Sequence, residues 1–285
     1  MKMEIQADRL YDVFNSLNEY RDELLINMSE KGMVIRVNEM SNTALQAAFI
    51  PSESMEVWEV GEFPRIGIDV SRIIDYVSSV NDDTVTFEIV QSAGKLYKLQ
   101  LDADNREYKF PMTDPDQVSG VPDQVPDLDT SVKITNDFSF ISDFINDYDK
   151  GMGDKKNGYM YLSARDGLFY MWTDSDDSEM AERIHWEDFD DYDIDWSNVD
   201  HYEGSPHDES EEHITDCIMS MGYLDSTIVN TDTVNIYLDN HYPMKITSNW
   251  ECGIKQSWMI PPRFPNDENR ITLPERIIKP RSLKS

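Results

Sequence analysis

The stretch Asp114-Pro115-Asp116-Gln117-Val118-Ser119-Gly120-Val121-Pro122-Asp123-Gln124-Val125-Pro126-Asp127-Leu128-Asp129 decides how the chain is organised. Pro115, Pro122 and Pro126 argue against a helix or a central strand. Such a segment favours extended backbone at about 3.1 Å per residue, enough to run roughly 50 Å along a domain surface. A plain spacer seldom carries regular aliphatic residues, yet Val118, Val121, Val125 and Leu128 recur here. The stretch is therefore expected to connect two folded halves and to lie against one of them.

On either side the apolar pattern repeats. Leu10, Val13, Phe14 and Leu17 stand at helical spacing, as do Val70, Ile73, Ile74 and Val77. After the proline-rich stretch, Phe138, Ile141, Ile145 and Tyr148 form a third such stripe, and Ile214, Cys217, Ile218 and Met221 a fourth. Each stripe is narrow, so each helix is expected to bury one face only. Between them lie alternating, strand-like runs: Thr84 to Ile89, then Tyr97, Leu99 and Leu101, and later Val234, Ile236 and Leu238. Val80-Asn81-Asp82-Asp83-Thr84-Val85-Thr86-Phe87 resembles Val229-Asn230-Thr231-Asp232-Thr233-Val234-Asn235-Ile236. Met28-Ser29 before Gly32-Met33 likewise matches Leu162-Ser163 before Gly167-Leu168. The order of these features predicts an α+β fold made of two copies of one unit, each with two helices on an antiparallel sheet.

Of the 285 residues, 39% are hydrophobic and 11% aromatic, a core-forming composition. Acids outnumber bases 56 to 25, for a net charge of −31. That excludes a nucleic-acid binder working by bulk positive charge. Acids scattered over a whole globular chain repel one another, and molar salt removes most of the cost. A salt-adapted source is the favoured reading. Two cysteines, Cys217 and Cys252, exclude a disulfide framework and any paired-cysteine zinc or redox motif. Glu4, Asp8 and Asp12 stand where a signal peptide needs an apolar run. A protein without membrane spans, cytoplasmic and nucleoid-associated, is expected, or one of the host cytoplasm if the source is viral. No phosphate-binding loop, nucleophile elbow or zinc-protease motif is present, so no catalysis and no cofactor are expected.

The chain resembles the proliferating cell nuclear antigen family, the DNA sliding clamps of archaea and eukaryotes, over about residues 1 to 265. The stretch Asp114 to Asp129 is similar to that family's interdomain connecting loop. Asn38-Glu39-Met40-Ser41-Asn42, Tyr242-Pro243-Met244-Lys245-Ile246 and Met259-Ile260-Pro261-Pro262-Arg263 resemble three further family segments. The resemblance implies an N-terminal clamp domain at 1–113, a connecting loop at 114–129, a C-terminal clamp domain at 130–265 and a basic tail at 266–285. It implies a homotrimeric ring around double-stranded DNA, with the helices inside. It also implies a non-catalytic processivity factor that tethers DNA polymerase, clamp loader, flap nuclease and ligase through short peptide motifs.

The resemblance assigns sites. The partner-peptide pocket maps to Asn38, Asn42, Leu45, Val125, Pro126, Pro243, Met259, Pro261 and Pro262. Prolines and aliphatics suit it, because they preform an apolar hole for an aromatic plug. The DNA-facing bases map to Arg9, Arg72, Lys150, Lys155 and Lys156, and acids stand among them at Asp12, Asp75, Asp143 and Asp147. A water- and cation-filled hole is therefore expected. Subunit contacts map to Tyr108, Phe110 and Met112 on one side and Met180 and Ile184 on the other. Pro111 lacks a ladder donor, so pairing is expected to end or break there.

Two segments depart from that pattern. Residues 174–212 hold 17 acids against the single base Arg183, with His185, His201 and His207 among them. A solvated acidic loop is the expectation rather than a metal site. Past Asn269 the balance inverts, with Arg270, Arg276, Lys279, Arg281 and Lys284 against Glu275. The reading from another class is an acidic DNA mimic or inhibitor, which forms no ring.

Overall fold

The computed structural model describes residues 1–81, 83–92, 96–165, 168–175, 178–194, 213–227, 233–239 and 242–263. The first half of the chain runs β1 (Lys2–Gln6), α1 (Ala7–Asn18), β2 (Glu23–Ser29), β3 (Gly32–Asn38) and β4 (Leu45–Pro51). It continues through a 3-10 turn at Ser52–Ser54 to β5 (Val57–Glu59), β6 (Arg65–Asp69), α2 (Val70–Val77), β7 (Thr84–Ser92), β8 (Leu96–Ala103) and β9 (Arg106–Pro111). The second half repeats this order element for element. It has β10 (Val132–Asn136), α3 (Ser139–Gly151), β11 (Tyr159–Arg165), β12 (Leu168–Ser175) and β13 (Ser178–His185), then a 3-10 turn at Trp186–Asp188. There follow β14 (Asp191–Ile194), β15 (His213–Ser220), α4 (Met221–Asp225), β16 (Val234–Leu238), β17 (Met244–Asn249) and β18 (Lys255–Ile260).

Two compact units result. One comprises Met1–Leu128, Ser226–Val234 and Lys245–Ile260, the other Asp129–Asp225, Asn235–Met244 and Pro261–Ser285. In the first unit, strands are ordered β5-β1-β7-β8-β9 in one sheet, and β17, β18, β4, β3, β2 and β6 lie side by side in another. In the second, β13-β12-β11-β15 repeats the order β4-β3-β2-β6, and β14, β10 and β16 are neighbours. The strand pairings are antiparallel, for example Ile5↔Val85 and Leu162↔Met171.

The sequence dictates these elements locally. α1 buries Leu10, Val13, Phe14 and Leu17, the expected stripe, and exposes Asp8. α2 buries Val70, Ile73, Ile74 and Val77 and exposes Arg72 and Asp75. Phe14 meets Phe87 edge-on at 6.3 Å, joining α1 to β7 in the first core. In the second unit α3 buries Ile141, Phe144, Ile145 and Tyr148. Its core is aromatic: Phe140, Phe169, Trp186 and Phe189 lie with centroids within 6.3 Å of a neighbour.

The fourth helical stripe is corrected by the structure. Ile214, Cys217 and Ile218 lie on strand β15, and the helix begins only at Met221 and is five residues long. Cys217, Ile218, Met219 and Ser220 are all buried, so the end of the strand is covered on both faces. A strand buried on both faces reads as a continuous apolar run, and such a run satisfies helical spacing by accident. Tyr97 also departs from its alternating strand-mates. It is 41% exposed and packs on Phe63 at 4.6 Å, while Leu99 and Leu101 are buried.

Candidate functional site

The connecting stretch is fastened to the first unit along its length. Thr113 N–H donates to Gly67 O at 2.9 Å and bridges to that residue. Gly67 must be glycine: a Cβ there would meet Thr113 O at 2.7 Å and Val118 Cγ2 at 2.8 Å. A turn follows at Asp114, whose carbonyl accepts from Gln117 N–H at 2.9 Å. Asn38 N–H donates to Gly120 O at 2.7 Å, and Asp127 faces Lys245 at 3.7 Å. The rest of the stretch forms neither helix nor strand, with Val118, Val121, Val125 and Leu128 each partly buried. This is the surface-bound strap that its aliphatic residues foretell.

Beside the strap sits the hairpin β3–β4. Asn38 pairs with Leu45, and Leu45 pairs across its other edge with Met259 of β18. Three of the assigned pocket residues of the first unit are thus neighbours in register. Leu45 is half-buried and Met259 buried, so Leu45 offers the accessible apolar surface. The turn between the strands is knitted by one carboxylate. Glu39 accepts from Ser41 N–H at 2.8 Å, from the Ser41 hydroxyl and from Thr43 Oγ1 at 3.4 Å. Asn42 takes a left-handed φ of 57°, which asparagine tolerates. Burial raises the Glu39 carboxyl, but the Ser41 and Thr43 bonds and the Arg21 charge outweigh it and hold Glu39 below the usual range. Val125 is half-buried on the strap and Pro126 exposed. Pro243, Pro261 and Pro262, in the second unit, are half-buried.

The bases on and after the helices are mostly engaged by acids. Arg72 Nε lies 3.1 Å from Asp69, Lys150 Nζ 3.3 Å from Asp147 and Lys155 Nζ 2.9 Å from Asp225. The hydrogen bond to Asp225 raises the Lys155 ammonium above its ordinary value against a smaller opposing effect of burial. Among the described residues, only Arg9 and Lys156 of the five assigned bases are without an ion pair.

Among the described residues six strands end the three sheets, and two of them are β9, which borders only β8, and β13, which borders only β12. On β9, Tyr108 is 46% exposed, stacks on Phe110 at 6.4 Å and lies tilted against Tyr76 at 4.4 Å. Pro111 closes that strand and Met112 follows it. On β13, Met180, Glu182 and Ile184 share one face. Burial, then the Asp143 and Asp147 charges of α3, push the Glu182 carboxyl up. Among the described residues, no group of three or more His, Cys, Asp or Glu is placed to hold a metal ion. His201, His207 and the acids of 195–212 lie outside the described residues, as does the basic tail from 264. No helix among the described residues is long and apolar enough to cross a membrane.

Two residues make contacts that the sequence does not announce. Arg21, a base expected at the first helix, lies just past α1 and donates to both the strap and the β3 end. Arg263, the last residue of the segment 259–263, lies 4.3 Å over the Tyr159 ring, and its N–H donates to Ile218 O at 2.9 Å.

A twice-repeated unit of two helices on antiparallel sheets, joined by a surface strap, defines a clamp-type fold. Solved structures share it. A. fulgidus PCNA, solved with the C-terminal region of FEN-1, superposes with a TM-score of 0.77 at 19% identity, over 93% of this chain and 99% of that one. PCNA of Thermococcus kodakaraensis gives 0.73 at 16% identity, over 92% and 99%. In sequence, a DNA polymerase sliding clamp of Archaeoglobus fulgidus is 30% identical over 115 residues, 40% of this chain and 45% of that protein. One of Methanothrix thermoacetophila is 23% identical over 60% of this chain and 66% of its own length. Thus the chain spans less than two thirds of these two relatives. The clamp of Methanococcoides burtonii is 22% identical over 93% of this chain and 99% of its own length. No protein-family model matches. The chain has the PCNA fold and is a relative of the DNA polymerase sliding clamps.

Proposed function

We propose that this chain is a DNA sliding clamp: a non-catalytic ring that encircles duplex DNA and tethers DNA polymerase and other replication proteins. The observation that carries the reading is the element-for-element repeat of the clamp fold. Two clamp domains, 1–113 and 130–265, and the connecting loop 114–129 make the protomer. Three protomers close the ring, with β9 of one meeting β13 of the next. Tyr108, Phe110 and Met112 then face Met180 and Ile184. The open edges support this reading, because a long exposed edge is a template for pairing. Partners dock by a short peptide with an aromatic plug at Asn38, Asn42, Leu45, Val125, Pro126, Pro243, Met259, Pro261 and Pro262. Clamp loader, polymerase, flap nuclease and ligase are the expected partners.

Topological linkage separates this function from direct binding. The protein is loaded on closed circular DNA with a matching clamp loader, washed in molar salt, and the circle is then cut. A clamp survives the wash and is released on cutting. Retention after cutting means direct grip on DNA, and failure to load on any circle rejects the clamp.

A further inference from the structure

Arg21 sits half-buried where the α1 turn ends, its N–H donating to Leu17 O at 3.2 Å. Its guanidinium spreads over two separate segments. Nε donates to Asn38 O at 2.8 Å, Nη2 to Glu39 O at 3.5 Å, and Nη1 to Ser119 Oγ at 3.2 Å. The first two acceptors open the turn that carries Asn42 and leads into Leu45, and the third lies on the strap. Gly120 completes the junction. Its φ of +72° disfavours any side chain, and a Cβ would lie 2.6 Å from Arg21 Cζ. The Gly120 carbonyl in turn accepts the Asn38 N–H at 2.7 Å. A planar fork of five donors spans such divergent acceptors, whereas an ammonium offers one point of charge.

We propose that Arg21 is a positioning residue of the docking face: it locks the Ser119–Gly120 segment of the strap to the Asn38–Glu39 turn and so holds both sides of the partner site in register. This rests on the docking reading above. The Glu39 carboxylate, which organises Ser41 and Thr43, supports the same turn from outside. Preorganising two separate backbone segments lowers the ordering cost at binding. Without the fork, the strap between Thr113 and Asp127 keeps its outer fastenings, and its centre rests on the Asn38–Gly120 backbone bond alone.

The test uses the full chain with Arg21→Ala, Arg21→Lys, Gly120→Ala and the Arg21→Ala/Gly120→Ala double variant. Calorimetry measures binding of the A. fulgidus FEN-1 C-terminal peptide, and hydrogen exchange reads the Asn38 amide. Arg21→Ala is expected to weaken the peptide about tenfold, the scale of lost charge-assisted hydrogen bonds, and to expose the Asn38 amide. Arg21→Lys keeps the charge and fails to rescue. Gly120→Ala weakens binding alone but adds less in the Arg21→Ala background, where its clash is gone. A merely structural arginine does not show that coupling; melting temperature and solution mass stay near the unsubstituted values. Equal affinity for Arg21→Ala, full rescue by Arg21→Lys, or additive effects overturn the positioning role. If the unsubstituted chain does not bind the peptide, the docking reading falls. Exchange at Asn38 then decides the latch by itself: unchanged protection in Arg21→Ala overturns it, and lost protection sustains it.

Discussion

Removing two acids should make this protein bind DNA with a steeper salt dependence. In the proposed ring, Arg72 and Lys150 face the duplex, but each is held by a carboxylate: Asp69 at 3.1 Å and Asp147 at 3.3 Å. The double variant Asp69→Asn with Asp147→Asn frees both cations while keeping side-chain volume. Asparagine also remains a good residue at the start of α2, where Asp69 accepts from Ser71 Oγ at 2.6 Å. Each phosphate contact contributes about −0.9 to the slope of log affinity against log salt. Three subunits free six cations. If half touch phosphate at once, the slope steepens by about 3, and affinity falls roughly 40-fold more between about 50 and 200 mM salt. Fluorescence anisotropy of a short labelled duplex over a potassium chloride series reads the slope. A control, Asp75→Asn with Asp143→Asn, removes the same charge from α2 and α3 without breaking an ion pair. An unchanged slope in the first variant, or equal steepening in both, refutes the claim that the ion pairs withhold these cations from DNA.

Two further outcomes are expected. The oligomer should be tighter in molar potassium chloride than in dilute buffer, because screening removes repulsion between chains of net charge −31 while salting-out favours contacts at Tyr108 and Phe110; light scattering over a salt series checks this, and dissociation with rising salt refutes it. Glu182→Gln should raise the melting temperature at pH 7. The Glu182 carboxyl is raised in the folded chain, so its ionised form costs stability at neutral pH, and the cost lessens as pH falls through the folded value. The advantage of the variant should therefore vanish below the ordinary glutamate value of 4.5. Melting curves from pH 7 to acid test this, and an advantage that persists in acid contradicts it.

Most of the fold was legible because its signals are local. The stripes at Leu10–Leu17, Val70–Val77 and Phe138–Tyr148 became α1, α2 and α3, and prolines marked the strap. The fourth helix was misread because Cys217, Ile218 and Met219 are consecutive buried residues at the end of β15, and in such a run period carries no information. The proposed docking face was legible only as residue types. What orders it is remote in sequence: Arg21 reaches Asn38 across 17 positions and Ser119 across 98. Gly67 shows no local need for glycine until Thr113 and Val118 fold over it. The pairing of bases with acids was half legible. Asp69–Arg72 and Asp147–Lys150 are spaced to meet on a helical turn, but Lys155 finds Asp225 only through the tertiary fold.

The acidity and the proposed work on DNA are compatible because encirclement and attraction are separable. A protein that finds DNA by charge needs free cations, and here three of five assigned bases are engaged by carboxylates. A closed ring needs none, since its residence is limited by opening at β9 and β13 and not by phosphate contacts. Weak contacts then have a use: every cation that grips a phosphate must be released before the ring moves along the duplex. Pairing Arg72, Lys150 and Lys155 internally lowers that friction, and it places the demand for stability on the subunit edges. In the proposed ring those edges carry Tyr108 and Phe110, apolar surface whose contacts salt strengthens. Screening of the net charge of −31 between protomers acts in the same direction, so in the proposed ring the excess of acid bears on how readily the ring opens more than on how tightly it holds DNA.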